Sequence, residues 1–270
     1  MTGDRLPLPR GIDTSRPSTA RMYDYWLGGK DHYAVDREAA EKVLAVFPQA
    51  SWLALANRRF LVRAVRYCAQ RGIDQFVDIG AGIPTMPNVP EVARKINPDT
   101  RVVGVDKDPV VVVHNRALVA TDEHIGTVEG DIRRPLEILA DPEFNAVIDL
   151  NRPVAMLLVA ILHFVRDEED PAGIVRYLAH HTAPGSYVVI SAATSTGTPA
   201  ETIEQIEQVY RGATEPVIFR PEAHIRSWFD PFHLVTPGLV EVQGWRPDVA
   251  ERRTDVRIVG GVAYQPGWVD

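Results

Sequence analysis

The chain has 270 residues, and 29 lysines and arginines against 36 aspartates and glutamates leave it a formal charge of −7. That length fits one large α/β domain, the 45% apolar content is enough for a packed core, and the acid excess argues against a nucleic-acid-binding field. The single cysteine, Cys68, excludes an intrachain disulfide, a cysteine-built zinc site and an iron–sulfur cluster, and with the cluster goes its radical chemistry.

Residues 1–18, with several prolines and glycines and few apolar anchors, read as a flexible arm. From Thr19 onward Ala20, Tyr23, Trp26 and Leu27 recur at helical spacing and predict a helix stopped by Gly28-Gly29. Helices over Asp36–Phe47 and Ala50–Arg71 follow, so residues 19–72 form a helical cap, with Cys68 on an apolar stretch as a core residue. Beyond Gly72 the texture alternates. Strands are expected at Gln75–Ile79, Arg101–Asp106, Thr127–Glu129, Val154–Leu162 and Tyr187–Ser191. Helices are expected at Val89–Asn97, Pro109–Ala120, Pro135–Ala140 and Pro171–Ala183. That rhythm implies a parallel sheet covered on both faces. Helices at Pro199–Tyr210 and Pro221–Phe229, then apolar segments at Leu239–Val242 and Val256–Ala263, suggest an antiparallel closure of one sheet edge. Residues 73–270 complete a single domain with the cap. No stretch approaches the ~18 apolar residues of a membrane span and no signal-peptide run opens the chain, so the expected location is the cytoplasm.

The most informative segment is Phe76-Val77-Asp78-Ile79-Gly80-Ala81-Gly82-Ile83-Pro84-Thr85. A strand ending in an acid and then Gly-x-Gly makes a tight turn whose backbone can approach a ligand at the carboxyl edge of the sheet. A dinucleotide site would want Gly or Ala where Thr85 stands, and a carboxylate at Asp78 would repel a pyrophosphate but suit a cationic amino-acid end. Asp106 ends the second strand 26 residues after Gly80, where an acid can accept from ribose hydroxyls; it could equally serve only to start the next helix. Asp131 follows the third strand, beside Ile132, where a carboxylate can accept from an adenine amino group while the aliphatic side chain packs on the ring. Three acids at three successive strand ends favour a nucleoside crevice.

These blocks, together with Arg16-Pro17-Ser18-Thr19-Ala20-Arg21-Met22-Tyr23-Asp24-Tyr25-Trp26-Leu27-Gly28-Gly29-Lys30-Asp31, Ala56-Asn57-Arg58-Arg59-Phe60-Leu61, Leu162-His163-Phe164-Val165 and Pro184-Gly185-Ser186-Tyr187, carry a resemblance. From about Asp13 to Gly261 the chain resembles a bacterial family of S-adenosylmethionine (SAM)-dependent methyltransferases formerly catalogued as a domain of unknown function. The resemblance implies a class I, Rossmann-like α/β fold: a seven-stranded, mostly parallel sheet whose last strand is antiparallel, with helices on both faces. It departs from the family at Pro90 and at Ala192, where histidines are usual.

On this reading SAM is the cofactor, held by Asp78, Gly80 and Gly82 at its amino-acid end, Asp106 at the ribose, and Asp131 with Ile132 at the adenine. From the cap, Tyr23 and Asp31 are candidate ligand contacts, an aromatic face beside a sulfonium being worth roughly 0.5–2 kcal/mol. His163, just past the fourth strand, is the candidate general base, with Tyr33 and Asp149 weaker choices; no His-Glu-x-x-His or comparable spacing points to a metal. Arg58, Arg59, Arg63 and Arg66 share a helical face and read as solvated, so neither RNA nor DNA is an expected substrate. The expected partner is a small-molecule methyl acceptor, without membrane attachment and with a homodimer left open. A SAM-binding protein without transfer activity is the alternative, and an NAD(P) oxidoreductase is disfavoured by Asp78 and Thr85.

Overall fold

The computed structural model describes residues 13–119 and 122–267. Five strands run parallel: β1 (Gln75–Ile79), β2 (Arg101–Asp106), β3 (Ile125–Glu129), β4 (Ala155–Val159) and β5 (Tyr187–Thr194). After them come β6 (His233–Leu234), β7 (Val240–Glu241) and β8 (Arg257–Tyr264), and the sheet order is β3-β2-β1-β4-β5-β8-β6, with β7 also on β8. β8 is antiparallel to β5, β6 and β7, which is the closure anticipated from the two apolar C-terminal segments. The sheet has eight strands among the described residues, the seven that the resemblance implies plus the two-residue β6.

Period-two alternation splits the strand side chains between two cores. Phe76, Val102, Leu157 and Val189 face one way, under α1 (Thr19–Trp26), α2 (Ala34–Val46), α3 (Ala50–Ala69) and α4 (Val89–Arg94). Val77, Val103, Met156 and Ile190 face the other. Near these lie α5 (Pro109–Val119), α6 (Pro135–Ala140), α7 (Pro142–Val147) and α8 (Pro171–His180). α9 (Ala200–Tyr210) joins the cap side and α10 (Glu222–Ser227) the opposite core. Helix α7 escaped the sequence reading, although Asp141 before Pro142 caps it by accepting from the Glu143 and Phe144 amides. Cys68 is fully buried in the cap-side core, where burial pushes its thiol far up.

The apolar run Val154–Leu162 is not one strand. β4 stops at Val159, Ala160 takes φ +56°, and Leu162–Phe164 forms a 3-10 turn. The Ala160 amide donates to both the carbonyl and the hydroxyl of Ser191 at 3.0 Å, which holds the bend at the sheet's carboxyl edge. Residues 1–12 of the expected arm lie outside the described residues; residues 13–18 are not free. The Ser18 amide donates to Asp36 Oδ1 at 2.8 Å, its hydroxyl donates to Asp108 Oδ2 at 2.5 Å, and the Thr214 amide donates to the Pro17 carbonyl at 2.9 Å. Buried Arg21 joins the same knot through Asp36 at 2.9 Å and Asp108 at 3.4 Å.

Arg63 does for the C-terminal segment what Arg21 does for the N-terminal one. Its guanidinium donates to the carbonyls of Trp245 at 2.8 Å and Val242 at 2.6 Å, and to Glu251 Oε1 at 2.7 Å. Glu251 is itself nearly buried, with only the exposed Arg59 as a second cation at 3.6 Å. Breaking a buried pair by removing one partner is costly. Arg63→Met is therefore expected to lower unfolding free energy by about 3 kcal/mol in urea denaturation; a loss under about 1 kcal/mol would show that this arginine does not anchor the segment.

Candidate functional site

The strand order reverses between β1 and β4, and a crevice opens beyond the carboxyl ends of these strands, the place where open α/β sheets bind ligands. Here it is a cavity of about 420 Å³, roofed by the cap and lined by Asp78, Gly80, Gly82, Asp106, Asp131, Ile132, Tyr23 and His163 together. Seven strand-end and cap positions singled out in the sequence thus converge with the candidate base. Asp31 does not join them.

The turn after β1 depends on its glycines. Gly80 has φ +76°, and its amide and that of Ala81 donate to the Val105 carbonyl at 2.8 and 3.1 Å. A Cβ at Gly80 would also come within 2.8 Å of Ile161 Cδ1. Gly82 has φ +65° and donates to Asp106 Oδ2 at 2.9 Å, leaving open space where a Cβ would stand.

Two buried carboxylates dominate the electrostatics. Burial pushes Asp78 up to about 6; the nearby Arg58 charge works against that shift and Asp106 adds to it. Among the described residues nothing donates a hydrogen bond to the Asp78 carboxylate. Asp106 is also raised to about 6, chiefly by burial, although the Asp108 and Gly82 amides that donate to it pull the other way. Arg58, from α3, donates through Nη2 to the carbonyls of Thr85 at 2.6 Å and Pro87 at 3.0 Å, yet its Nε is buried without a partner. An unpartnered anion near an unpartnered donor fits an amino-acid zwitterion, so the residues present suit the amino-acid end of SAM.

Asp131 is arranged differently. Arg133 chelates it, Nε to Oδ1 at 2.8 Å and Nη2 to Oδ2 at 2.6 Å. Burial opposes ionisation, but those bonds and charges hold the carboxyl below its usual range. Arg133 continues to Glu215 at 3.1 Å and Glu169 at 3.3 Å, and Lys107 closes on Glu215, so an ionic cluster frames the end of the cavity beside buried Ile132.

On the cap, the Tyr23 hydroxyl donates to the Ala54 carbonyl at 2.9 Å and accepts from Asn57 at 3.1 Å, while Asn57 accepts from Ser191 at 2.7 Å. Burial raises Tyr23, and its ring face, not its hydroxyl, is what it has to offer a ligand. Asp31 stands outside the cavity, half-exposed, because the turn at Gly28-Gly29 folds the chain back so that the Asp31 amide donates to Asp24 Oδ2 at 3.0 Å. A Cβ on Gly29 would collide with that Asp24 carboxylate. Asp24 lines the cavity in its place.

His163 is buried, and Nδ1 accepts from the Ala193 amide at 3.2 Å, which puts the ring proton on Nε2. Burial, aided by Arg220, drives its pKa down to about 3. With one nitrogen engaged and the other protonated, this imidazole has no free lone pair, so the expected general base becomes a neutral donor. The arginine stripe is likewise not a uniformly solvated face: Arg63 is buried, Arg58 lines the cavity, and Arg59 and Arg66 remain outside. Helical periodicity groups these residues without revealing what each one meets.

The strand order, the glycine turn and the acids at three strand ends define the class I methyltransferase fold. Comparison with known proteins supports that class. An O-methyltransferase family protein from Burkholderia thailandensis, 12% identical, superposes with a TM-score of 0.55 over 91% of this chain and 64% of that one. Much nearer are a candidate methyltransferase from Thermobifida fusca YX (36% identity, TM-score 0.91, 97% and 100% coverage) and a duf574 family protein from Streptomyces avermitilis MA-4680 (40% identity, TM-score 0.90, 94% and 99% coverage). No curated protein matches the chain. Residues 6–266 match the family described as S-adenosyl methyltransferase, and the chain belongs to that family. It is a SAM-dependent methyltransferase.

The raised Asp78 carboxyl has a stability consequence of definite sign. Between about pH 4 and 6 the folded state holds more protons on this group than the unfolded chain does, so its contribution falls as pH rises through that window. At pH 7.5 Asp78→Asn is expected to stabilise the ligand-free protein by about 1–3 kcal/mol, and at pH 4 to change little. Urea denaturation of both proteins at the two pH values checks this; equal stabilities at pH 7.5 would show that Asp78 is not strained by burial.

Proposed function

We propose that this enzyme transfers the methyl group of SAM to a small-molecule acceptor enclosed under the cap. The observation that carries the reading is the continuity of one cavity from the charged strand ends of β1–β3 to the apolar wall formed by α2, α3, α9 and β8. Such an internal chamber suits a small molecule better than a macromolecular surface.

When bound, SAM would supply a methyl carbon already activated by its sulfonium, the C–S bonding pair staying with sulfur as an acceptor lone pair takes the methyl, and any acceptor proton would leave to bulk water with the departing product. The protein's share is placement and exclusion of water. Asp78 would accept from the ammonium and the Arg58 guanidinium would donate to the carboxylate of the amino-acid end. Asp106 would accept from the ribose hydroxyls, having further acceptor capacity beyond the two amides it already takes. Asp131 and Ile132 would meet the adenine, and Gly80 and Gly82 would let the backbone approach. Tyr23 would present its ring at the cap side. No base role falls to His163.

Isothermal titration tests the placement. Losing a charge-assisted hydrogen bond is worth about 1.5–3 kcal/mol, so Arg58→Met and Asp106→Ala are each expected to weaken SAM binding by roughly ten- to a hundredfold. For the parent protein, affinity should rise as pH passes upward through about 6, where the two carboxylates ionise. Labelled methyl appearing in a small-molecule fraction would support the acceptor class. Unchanged affinity in both variants would overturn the placement, and label appearing only in protein or nucleic acid would overturn the small-molecule reading.

A further inference from the structure

The cavity is divided by charge. Every charged side chain that lines it, from Asp13 and Arg21 through Asp78, Asp106 and Asp131 to Arg133 and Glu215, belongs to the chain up to the end of α1, the cofactor-side strand ends, Arg58, or the ionic cluster tied to Arg133, and Asp24 of α1 is engaged by the Asp31 amide and His32 Nδ1. The remaining wall has none. Phe47 after α2, Leu53 from α3, Ile206 and Tyr210 from α9, Phe219, and Ile258 from β8 line the same cavity and belong to, or pack on, one apolar cluster. A carboxylate, phosphate or ammonium placed against that wall would lose its water without gaining a counter-ion, which strongly disfavours a charged occupant.

Among the neutral polar groups along the cavity, His163 and Tyr210 keep hydrogen-bonding capacity to spare, whereas Asn57 is engaged by Tyr23 and Ser191. His163 lines it with Nδ1 committed to the Ala193 amide, and its Nε2–H has no acceptor among the described residues. The Tyr210 hydroxyl likewise has no hydrogen-bond partner among the described residues, and the Tyr210 side chain lines the same cavity. The Tyr210 ring stacks at 6.0 Å on Phe164, whose neighbour His163 meets it edge-on at 4.3 Å, giving this end an aromatic lining. Arg220, the cation nearest His163, is spent on Asp167 at 2.8 Å and the carbonyls of Val165 and Leu162 at 2.6 and 3.4 Å, and does not line the cavity.

We infer that the methyl acceptor is an uncharged, ring-bearing hydrophobic molecule, seated between the cap and β8 and oriented by a hydrogen bond from His163 Nε2–H to an oxygen or nitrogen atom it carries. This rests on the methyl-transfer reading above and narrows it to a substrate class. His163 is then a positioning residue for the acceptor. Ring faces suit the aromatic end of the wall, and a single donor in an apolar site discriminates sharply, since a substrate lacking the acceptor atom leaves that donor unpaired.

The test uses the full chain saturated with S-adenosylhomocysteine, whose own binding heat reports the cofactor side. Four probes are titrated at pH 7.5: naphthalene, 2-naphthol, 2-naphthoate and 2-naphthylmethylammonium. The expected order places 2-naphthol tightest and both charged probes at least tenfold weaker. His163→Leu should weaken 2-naphthol about tenfold and leave naphthalene unmoved, a split that a merely structural histidine would not produce. Ile206→Asp should weaken both neutral probes at least tenfold; should that variant fail to bind S-adenosylhomocysteine, Phe219→Ala at the half-buried part of the wall replaces it, with the same expectation for ring binding. A charged probe binding tightest, or no probe binding while S-adenosylhomocysteine still binds, would overturn the inference and leave the cofactor placement standing. Failure of the unmodified protein to bind S-adenosylhomocysteine would overturn both.

Discussion

The structure turns on two carboxylates held out of water at the carboxyl edge of a parallel sheet. Asp78 and Asp106 sit where β1 and β2 end, and both are held near pKa 6 chiefly by burial. Neither has a salt bridge among the described residues. Amides from Gly82 and Asp108 offset part of the cost for Asp106, and the Arg58 charge part of it for Asp78, but nothing among the described residues completes either group. Folding alone gains little from such residues; a ligand carrying an ammonium and two hydroxyls would satisfy both. The glycine turn belongs to the same arrangement: Gly82 donates to Asp106 Oδ2 at 2.9 Å from a backbone with φ at +65°, a conformation that favours glycine.

The cap is the second half of that arrangement. Helices α1 to α3 would be an amphipathic annex if they merely packed on the sheet, yet they are tied to the strand ends by a buried ionic knot. Arg21 and Ser18 join Asp36 of α2 to Asp108 at the start of α5, and the segment before α1 reaches the loop after α9 through Pro17 and Thr214. Asn57, Tyr23 and Ser191 then run a hydrogen-bonded chain from the cap into β5. A buried network of this sort specifies one position for the roof more than it adds stability, and a roof in one position is what a cavity of fixed shape needs. The order of residues 13–18 is a consequence of this knot and not of any local propensity.

Much of the core fold was legible because it is periodic. Acid-ended apolar runs at β1, β2 and β3, each followed by a helix, left little choice but a parallel sheet with its ligand edge at those acids. Legibility failed where the deciding interaction comes from elsewhere in the chain. The run through Leu162 stays apolar past Val159, so hydropathy could not mark the bend that Ser191, some thirty residues on, fixes at Ala160. Arg58 looked like one member of a solvated stripe because periodicity locates a residue on its helix and says nothing of the neighbour it meets. Asp31 was placed by proximity in sequence, but Gly28-Gly29 reverses the chain and presents Asp24 instead. For His163 the place just past β4 is legible in the sequence, but the Ala193 amide of β5 that occupies its Nδ1 is not.

These pieces bear on why the cavity separates charge from neutrality. In displacement from a sulfonium by an uncharged nucleophile, positive charge that begins on sulfur becomes shared with the attacking atom as the new bond forms. An anion placed at the reacting end would stabilise the localised charge of the ground state more than the dispersed charge of the transition state, and would slow the step. Carboxylates are therefore useful at the amino-acid, ribose and adenine ends, remote from the methyl group, and harmful near it. The chain follows that division: its unpartnered anions lie at β1 and β2, whereas the wall between the cap and β8 offers rings, aliphatic groups and neutral donors. A histidine kept neutral at ordinary pH by burial suits the same division, because an imidazolium beside a methyl acceptor would repel the charge arriving on it.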